Sequence, residues 1–492
     1  MSFPFFFSRT PSLRVGSYGP PFFPVPVRLP LAELRTHLWV SGVTGVGKSR
    51  WLAHLALTLL ARGEGITLLD PHGDTVRLVM DHLIARGVYA DPGAYARITY
   101  LDLPTAARQH RYAALDLLDQ PTDAPTTARL VLEALQRAWP GLDGGVAPAF
   151  ENAVLAGVAV LIHHHLPLPL LGDLFLDAPW RAMLLADVRD PAVRGFFTRL
   201  AAWGSREQAQ YLESTLRRVF LLGFSPVLRY SLGQAGNVVG AFRARMDAGQ
   251  SLLVNLALPD ADSRRLLGSI LTVLAEQGAL GRAGVPAGER GRGHTLIVDE
   301  YGEVAAQSGV ALTHILEQCR KFGLALVVSN QGGAQLDPRV GNALEGAGTR
   351  IVFRQGRRDA EVAAKQLARP SPTQVKHLVL DRVARRRTHP QYASLGEQWE
   401  SWASSLTGIA PRMAYLRRGN GRVIELRTPA VPDPVVDPAR REAVEDHYLT
   451  TLFTAEPVVA AELVAKRGRT SATPATTRRR GRVAQDAGDS TP

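Results

Sequence analysis

Short apolar runs alternate with segments of helical periodicity in two stretches of the chain. Leu38-Trp39-Val40 leads into a glycine-rich turn, and apolar residues then recur at helical spacing from Leu52 to Leu60. A further apolar run in the first stretch covers residues 66–69. After residue 250 the same alternation resumes, with apolar runs over residues 251–256, 296–298 and 324–329. Strands that alternate with helices predict an α/β fold with a mostly parallel sheet.

Residues 111–247 interrupt this pattern. They lack strand-like alternation and contain amphipathic segments of helical period, which predicts a large all-α insertion. The core domain is therefore expected over residues 31–110 and 248–430, with a glycine-turn β-hairpin over 413–426. The flanking segments are predicted to be an irregular arm rich in Pro and Phe, a C-terminal helix and a basic disordered tail, over residues 1–30, 431–457 and 458–492.

The turn after the first apolar run has the pattern G-x-x-x-x-G-K-S. Its glycines allow successive backbone N–H groups to curl round phosphates, and the following helix points its positive end at them. Lys48 is predicted to bridge the β- and γ-phosphates of ATP, and the Ser49 hydroxyl to hold Mg²⁺. The predicted nucleotide-binding residues of this turn are Gly42, Thr44, Gly45, Val46, Gly47, Lys48 and Ser49.

The next apolar run ends in Asp70-Pro71-His72-Gly73-Asp74. Asp70 is expected at the carboxyl end of a strand beside the glycine-rich loop, where ligands collect in open α/β sheets, so it is predicted to border the nucleotide site. Asp74 is interpreted as the N-cap of the helix that follows. His72 is interpreted as a solvated side chain.

A second decisive run, Leu296-Ile297-Val298, ends in Asp299 and Glu300. In such a pair the first carboxylate holds Mg²⁺ and the second orients and deprotonates the attacking water. Together with the phosphate loop, this pair predicts hydrolysis of ATP. The two motifs lie about 250 residues apart, far more than one βαβαβ unit needs, which again indicates a large insertion.

Two other polar groups have open interpretations. Gln331, at the tip of the strand over 324–329, is either an amide that senses the γ-phosphate or an ordinary loop amide. Consecutive histidines cannot all face one metal, so His163, His164 and His165 favour a solvated helix end over a zinc site.

Charge and cysteine content suggest a partner and a compartment. Lys and Arg number 57 against 45 Asp and Glu, a formal net charge of +12, which favours a polyanion such as nucleic acid or anionic lipid. The excess of basic residues has an alternative explanation, because genome base composition alone can make a chain rich in Arg and Ala. The single cysteine, Cys319, excludes an internal disulfide and indicates a reducing compartment, the cytoplasm. No apolar run reaches the length of a membrane-spanning helix.

A family resemblance follows from five motifs taken together. They are Gly42–Ser49, Asp70–Asp74, Leu296–Glu300, Arg320–Leu324 and Asn330-Gln331. In this combination the chain resembles the FtsK/HerA superfamily, and within it the type IV secretion coupling ATPases of conjugation, over residues 37–359. The resemblance implies a RecA-like P-loop core with an all-α insertion, assembled as a hexameric ring that moves DNA.

The resemblance also assigns roles to single residues. Arg320 matches the arginine that reaches a neighbouring subunit's nucleotide, although it is also interpretable as a cation that stabilises a helix C-terminus. Gln331 matches the sensing glutamine, and Arg354 is the alternative for the trans-acting arginine. Coupling proteins usually begin with membrane-spanning helices. Because this sequence has none, any membrane association is expected to depend on partners, such as relaxase, nuclease or secretion-channel proteins.

The sequence thus predicts an ATP-driven DNA translocase. Two other hypotheses remain open at this point. One is a type IV secretion-assembly ATPase that acts on protein or pilus subunits. The other is a nucleotide-gated scaffold that binds DNA without moving along it.

Overall fold

The computed structural model describes most of the chain between residues 11 and 469. The described residues are 11–20, 22–120, 122–139, 148–286, 289–304, 315–332, 338–381, 386–419 and 421–469. Among them, no helix combines the length and the apolar character that crossing a membrane requires.

The strands of these residues follow the predicted alternation. In chain order they are β1 Ser12–Tyr18, β2 Val25–Pro30, β3 Leu38–Ser41, β4 Gly65–Asp70, β5 Ile98–Asp102, β6 Arg111–Ala113, β7 Ser251–Asn255, β8 His294–Val298, β9 Leu324–Asn330, β10 Thr349–Val352, β11 Val375–Asp381, β12 Arg386–Tyr392, β13 Met413–Arg418, β14 Ile424–Arg427 and β15 Phe453–Ala455.

Helices connect most of these strands. The α-helices are Leu31–Leu34, Lys48–Leu60, Asp74–Ala85, Gly93–Arg97, Leu103–Arg108, Ala124–Ala138, Pro148–His163, Leu171–Leu176, Ala178–Leu185, Pro191–Ala202, Ser205–Phe224, Pro226–Ser231, Phe242–Asp247, Ala261–Leu280, Tyr301–Val304, Pro338–Glu345, Arg357–Leu367, Leu395–Thr407, Pro438–Leu452 and Glu456–Arg469. The 3₁₀ turns are Val88–Ala90, Leu168–Leu170 and Cys319–Phe322.

One large sheet organises the core. Its strand order is β2-β1-β14-β13-β10-β3-β9-β8-β4-β7-β5, and every pairing from β10 to β5 is parallel. Every residue of β3, β4, β8 and β9 is buried, as expected for parallel strands with helices on both faces. The predicted fold class, an α/β core with a mostly parallel sheet, is confirmed. The predicted hairpin is also confirmed, since β13 and β14 pair antiparallel.

The strand order decides where the predicted motifs meet. Strands β3, β9, β8 and β4 are consecutive neighbours, and the carboxyl ends of parallel strands share one edge of a sheet. The phosphate loop follows β3, Gln331 follows β9, Asp299 and Glu300 follow β8, and Asp70 ends β4. All four motifs therefore lie at the same edge.

The insertion packs on the core through helices. Between residues 114 and 247 the described elements are helical, and helix Ala124–Ala138 packs on helix Ala261–Leu280 of the core. Arg137 and Glu276, both 1% exposed, form a buried ion pair across this contact. Strand β6, at the start of the segment, pairs with β15. The segment therefore contacts the C-terminal part of the chain as well as helix Ala261–Leu280 of the core.

The prediction of an irregular arm over residues 1–30 is wrong for its described part. Strands β1 and β2 pair antiparallel and extend the sheet beyond β14. Leu13 and Val15 are buried, and the Trp51 indole N–H donates to the Val15 carbonyl at 2.9 Å. Gly16 interrupts the apolar alternation because a Cβ there would lie 2.5 Å from the Arg427 carbonyl oxygen. The strand could not be predicted from the local sequence, because the glycine is required by a contact with a distant residue. Residues 1–10 lie outside the described residues.

The prediction for the C-terminus is also partly wrong. The helix expected over 431–457 is Pro438–Leu452, and the first part of the predicted disordered tail is the helix Glu456–Arg469. Its Val459 and Leu463 are buried. The guanidinium of Arg467 lies 3.7 Å from the centre of the Trp180 ring in the insertion. These contacts hold the helix against the rest of the protein, although its composition predicted disorder. Residues 470–492 lie outside the described residues.

Candidate nucleotide site

The glycine-rich loop has the backbone shape that its sequence requires. Gly45 and Gly47 adopt φ angles of 80° and 104°, in the left-handed region that glycine enters without steric penalty. Gly47 is the N-cap of helix Lys48–Leu60, which buries Leu52 and Leu55 against the core. The amino end of this helix, with its unpaired N–H groups and positive dipole, therefore lies at the loop and favours an anion.

Lys48 lies at the centre of the site and is only 5% exposed. Its Nζ donates to the carbonyl oxygens of Gly42 at 2.6 Å and Val43 at 3.3 Å. The same Nζ lies 3.3 Å from Oε1 of Glu300. The fold thus brings the lysine of the phosphate loop and the second carboxylate of the other motif into direct contact.

Asp299 is buried and held by hydroxyl groups. Its Oδ2 accepts a hydrogen bond from Thr75 Oγ1 at 2.8 Å, and its Oδ1 accepts from the Ser329 hydroxyl and from the Glu300 N–H. A carboxylate fixed in this way presents its oxygens in one orientation. Oxygen ligands of this kind suit Mg²⁺.

Glu300 has an unusual backbone. Its φ of 44° lies in the left-handed region, which a non-glycine residue adopts only when the surrounding structure holds it there. Burial raises the pKa of its carboxyl group, the Lys48 ammonium opposes that shift, and Asp299 adds to it. A carboxylate with a raised pKa is better suited to accept a proton near neutral pH.

Asp70 is fully buried and has a structural task beside its predicted one. It accepts hydrogen bonds from the backbone N–H groups of His72 at 2.9 Å and Val76 at 3.0 Å. Burial, and then the neighbouring Asp299, raise the pKa of its carboxyl group. The interpretation of Asp74 as the N-cap is wrong: Gly73, with φ 84°, occupies that position, and Asp70 satisfies an N–H of the first helical turn.

These groups surround one cleft with a volume of about 530 Å³, within the size range of small-molecule sites. The cleft is lined by Thr44, Gly45, Val46, Gly47, Lys48, Ser49, Arg50, Asp70, His72, Asp74, Thr75, Asp299, Glu300, Gln331, Pro411 and Arg412. Gly42 lies behind it, where a Cβ would come within 2.6 Å of the Phe353 Cβ. The predicted nucleotide, metal and base residues, together with Gln331, are thus assembled around a single cleft.

Sequence reasoning missed three groups of this cleft and its support. Thr75 and Ser329 hold Asp299, and Ser329 was recognisable as a polar residue within an otherwise apolar strand. Arg412 enters the cleft from the residue before β13. Its sequence neighbourhood carries no signal, because its position depends on the pairing of distant strands.

The two candidate trans-acting arginines occupy different places. Arg320 is exposed and lines a cavity of about 670 Å³ together with His37, near the amino ends of β3 and β9. It is therefore at the opposite edge of the sheet from the cleft. Arg354 follows β10, and its carbonyl accepts from the Val43 N–H at 2.9 Å, beside the phosphate loop of its own chain. The assignment of Arg320 to a neighbour's nucleotide stays a prediction.

The histidine run is partly brought together. His163 and His164 join Asp187 in a group whose possible ligand atoms lie within 4.8 Å of one another. However, the ring Nε2 of His164 lies 2.7 Å from the Leu184 carbonyl, which engages that nitrogen as a donor. The interpretation of the histidine run as a solvated helix end, not a zinc site, stays a prediction.

Comparison with known proteins supports the resemblance seen in the motifs. Residues 15–140 match the model of the family described as Helicase HerA, central domain. The unbound bacterial conjugative coupling protein TrwBdeltaN70 is 20% identical and aligns over 84% of this chain and 89% of its own, with a TM-score of 0.54. TrwB in complex with ADP and Mg²⁺ aligns over 85% and 90%, at 20% identity and a TM-score of 0.52.

A third solved structure also has a similar fold. VirB4 of Thermoanaerobacter pseudethanolicus aligns over 85% of this chain and 96% of its own, at 12% identity and a TM-score of 0.53. No curated protein sequence matches the chain. In motifs and fold the chain resembles the P-loop ATPases of the FtsK/HerA superfamily and, within it, the conjugative coupling proteins.

Proposed function

We propose that this chain is an ATP-driven DNA translocase of the conjugative-coupling type, which works as a hexameric ring. The observation that carries the proposal is the contact between Lys48 Nζ and Glu300 Oε1 at 3.3 Å, in a cleft that also holds Asp299 and the phosphate loop. A phosphate cradle, a carboxylate for a metal and a second carboxylate for a water are the components of ATP hydrolysis.

Each group has a role in that reaction. The backbone N–H groups of Gly45 to Lys48 would hold the phosphates, and Lys48 would leave Glu300 to bridge the β- and γ-phosphates. Glu300, released from the ammonium, would orient the attacking water and take its proton. Asp70 would border the site and keep the turn after β4 in place through its two backbone hydrogen bonds.

The oxygen donors fit a magnesium ion. Ser49 at the start of the helix and the buried Asp299 offer a hydroxyl and a carboxylate, the donor types that Mg²⁺ prefers, and Thr75 and Ser329 fix the carboxylate. A bound Mg²⁺ would neutralise charge on the phosphates. TrwB, whose fold this chain shares, has a solved structure in complex with ADP and Mg²⁺.

Assembly would complete the site. Gln331 lines the cleft and would sense the γ-phosphate, whereas Arg320 lies at the opposite edge of the sheet. In the proposed ring, that edge of one subunit would face the cleft of the next, and Arg320 would act on the neighbour's nucleotide. Hydrolysis would then depend on contact between subunits.

The proposal of DNA as the substrate has its own support. The net charge of +12 favours a polyanion, and residues 15–140 match the central domain of a helicase. The single Cys319 favours a reducing location, and we propose the cytoplasm. Relaxase, nuclease or secretion-channel proteins are the partners that would bring such a motor to its DNA or to a membrane.

DNA-dependent ATP hydrolysis and strand displacement test this function. The purified chain should hydrolyse ATP faster with DNA present, the stimulation should vanish at high salt, and a triplex-displacement assay should show ATP-dependent removal of the third strand. Lys48→Ala should abolish both ATP hydrolysis and strand displacement. Nucleotide binding without hydrolysis in the presence of DNA would contradict the motor function.

The fold of VirB4 favours a second candidate, a secretion-assembly ATPase. Such an enzyme would hydrolyse ATP without stimulation by DNA. DNA-independent turnover combined with no strand displacement would therefore favour this candidate over the translocase. DNA binding and hydrolysis without displacement would instead indicate a nucleotide-gated scaffold.

A further inference from the structure

Arg412 lies over the phosphate loop although it comes from the far end of the core. Its backbone N–H donates to the Val46 carbonyl at 3.2 Å. Its Cγ lies 3.9 Å from the position that a Cβ on Gly47 would occupy. The aliphatic part of the side chain therefore rests on the loop, and Arg412 lines the same cleft as Lys48.

The backbone of Arg412 is held in a left-handed conformation, with φ 66°. Its carbonyl accepts hydrogen bonds from the N–H of Thr428 at 2.9 Å and from the Thr428 hydroxyl at 3.0 Å. Left-handed conformations at non-glycine residues concentrate at functional sites, where neighbouring contacts impose them. Among the described residues that line the cleft, Glu300 is the other non-glycine residue with this conformation.

The guanidinium of Arg412 has a charge that no carboxylate of the described residues offsets. The side chain is exposed, and the hydrogen bond it makes, to the Thr428 carbonyl, is long at 3.5 Å. The other cations of the cleft are paired: Arg50 with Asp433 at 3.0 Å and Lys48 with Glu300 at 3.3 Å. Of these three cationic side chains, the guanidinium of Arg412 is therefore the one available to bind an anionic ligand.

We propose that Arg412 binds the α- and β-phosphates of the nucleotide in its own subunit's cleft. In a P-loop the backbone around Gly47 cradles these phosphates, whereas the lysine reaches towards the γ-phosphate. A guanidinium forms paired hydrogen bonds with phosphate oxygens. The inference rests on the proposed nucleotide binding and deepens it, because it ties the hairpin β13–β14 to the presence of nucleotide.

Affinity measurements with substituted chains test this role. The affinities of MgADP and MgATP are measured by calorimetry for the full chain and for Arg412→Gly, Arg412→Ala and Arg412→Lys. The glycine and alanine variants should lose about 10- to 100-fold in affinity, by the same factor for both nucleotides, since both carry the α- and β-phosphates. The lysine variant should lose less, because it keeps a cation.

Arg412→Gly separates the guanidinium from the backbone. Glycine retains the N–H that contacts Val46 and adopts a positive φ without penalty, so its thermal midpoint should equal or exceed that of the wild type. Any loss of affinity in this variant then reports the missing guanidinium. Arg440→Ala is the matched control, because Arg440 is exposed on helix Pro438–Leu452 and pairs only loosely with Asp437 at 3.7 Å.

The possible outcomes distinguish this inference from the proposed function. If the wild type and Arg412→Gly bind MgADP equally well, the side chain has no part in binding and the inference is wrong while nucleotide binding stands. A loss confined to MgATP, or an equal loss in Arg440→Ala, also overturns it. If the wild type itself binds neither nucleotide, the proposed function fails and this inference fails with it.

Discussion

At the scale of single residues, Glu300 is the proposed base of the site. It combines a left-handed backbone, with φ 44°, and a carboxylate whose Oε1 lies 3.3 Å from Lys48 Nζ. Replacement of Glu300 by Gln keeps the size of the side chain and removes its ability to accept a proton. We expect Glu300→Gln to retain ATP and to trap the assembled state, with turnover lowered by about 100- to 10,000-fold.

Turnover and nucleotide affinity, measured on the same preparation, check this prediction. Glu303→Gln is a suitable control, because Glu303 lies one helical turn further on and pairs with Arg264 at 2.8 Å, outside the lining of the cleft. It should hydrolyse ATP at the wild-type rate. Equal turnover in Glu300→Gln and the wild type would show that another group acts as the base.

The raised pKa of Glu300 also predicts how activity depends on pH. A base works when it is deprotonated, so kcat should fall as the pH drops through the pKa of this carboxyl group. Burial places that pKa above the ordinary value of 4.5, although Lys48 opposes the shift. The acid limb of kcat, measured at saturating MgATP from about pH 4 to pH 8, should therefore have its midpoint above 4.5. Activity that persists unchanged below that value in a folded enzyme would contradict the assignment.

At the scale of elements, β8 begins with a buried titratable group and leads directly into the carboxylate motif. His294 begins the strand at 1% exposure, and its ring Nε2 lies 2.9 Å from the Thr67 hydroxyl of β4. Burial, with help from Arg245 and Arg282, lowers the pKa of His294 from 6.5 to about 3. Between these two values the unfolded chain binds a proton that the folded chain does not, so stability is lost as the pH falls below 6.5.

Replacement of His294 by Gln should remove this contribution. The free energy of unfolding of the wild type should fall more steeply than that of His294→Gln on acidification, by up to about 1.4 kcal/mol per pH unit. Urea unfolding at about pH 7.5 and about pH 5 measures the difference. Thr67→Val is the control: it removes the hydrogen-bond partner but not the titrating ring, so it should lower stability while keeping the wild-type steepness. Parallel slopes for the wild type and His294→Gln would contradict the role of His294.

The elements that sequence reasoning predicted well are those with local signals. Gly45, Gly47 and Lys48 lie in one turn whose geometry the residues dictate, and Asp299 follows a short apolar run that predicted a buried strand. Their convergence also followed, because parallel strands present their carboxyl ends at one edge.

The elements that were missed depend on distant partners. Strand β1 contains Gly16 because Arg427 approaches it, and helix Glu456–Arg469 is held by contacts with the insertion. Arg412 reaches the cleft only because β13 pairs with β10, which pairs with the strand that leads to the phosphate loop. No local pattern of apolar and polar residues reports such pairings, so periodicity alone could not have found them.

At the scale of the whole molecule, the sheet separates the candidate nucleotide cleft from the edge that carries Arg320. The cleft lies at the carboxyl ends of the parallel strands, and Arg320 lies just before β9, at their amino ends. Strand β9 has seven residues, which corresponds to about 20 Å. The Arg320 side chain is too short to cross that distance to its own cleft. A catalytic role for Arg320 therefore requires a second subunit.

This geometry predicts complementation between two inactive chains. In the proposed ring, Arg320→Ala should bind ATP normally but lose hydrolysis, because its neighbours lack the guanidinium that is proposed to act in trans. Lys48→Ala should lose nucleotide binding but still carry an intact Arg320. In mixed rings, an Arg320→Ala subunit beside a Lys48→Ala subunit has an intact cleft and receives the arginine it needs, so part of the activity should return.

ATP turnover of the two variants, measured separately and then as a mixture, checks the prediction once mass measurement has shown that mixed rings form. Lys321→Ala is the matched control, since Lys321 is the exposed neighbour of Arg320 on the same 3₁₀ turn and should remain active without mixing. If proven mixed rings stay inactive, Arg320 does not act on a neighbour's nucleotide. Its role is then local: it lines a cavity with His37 near the start of β3, where its charge would stabilise the end of a turn.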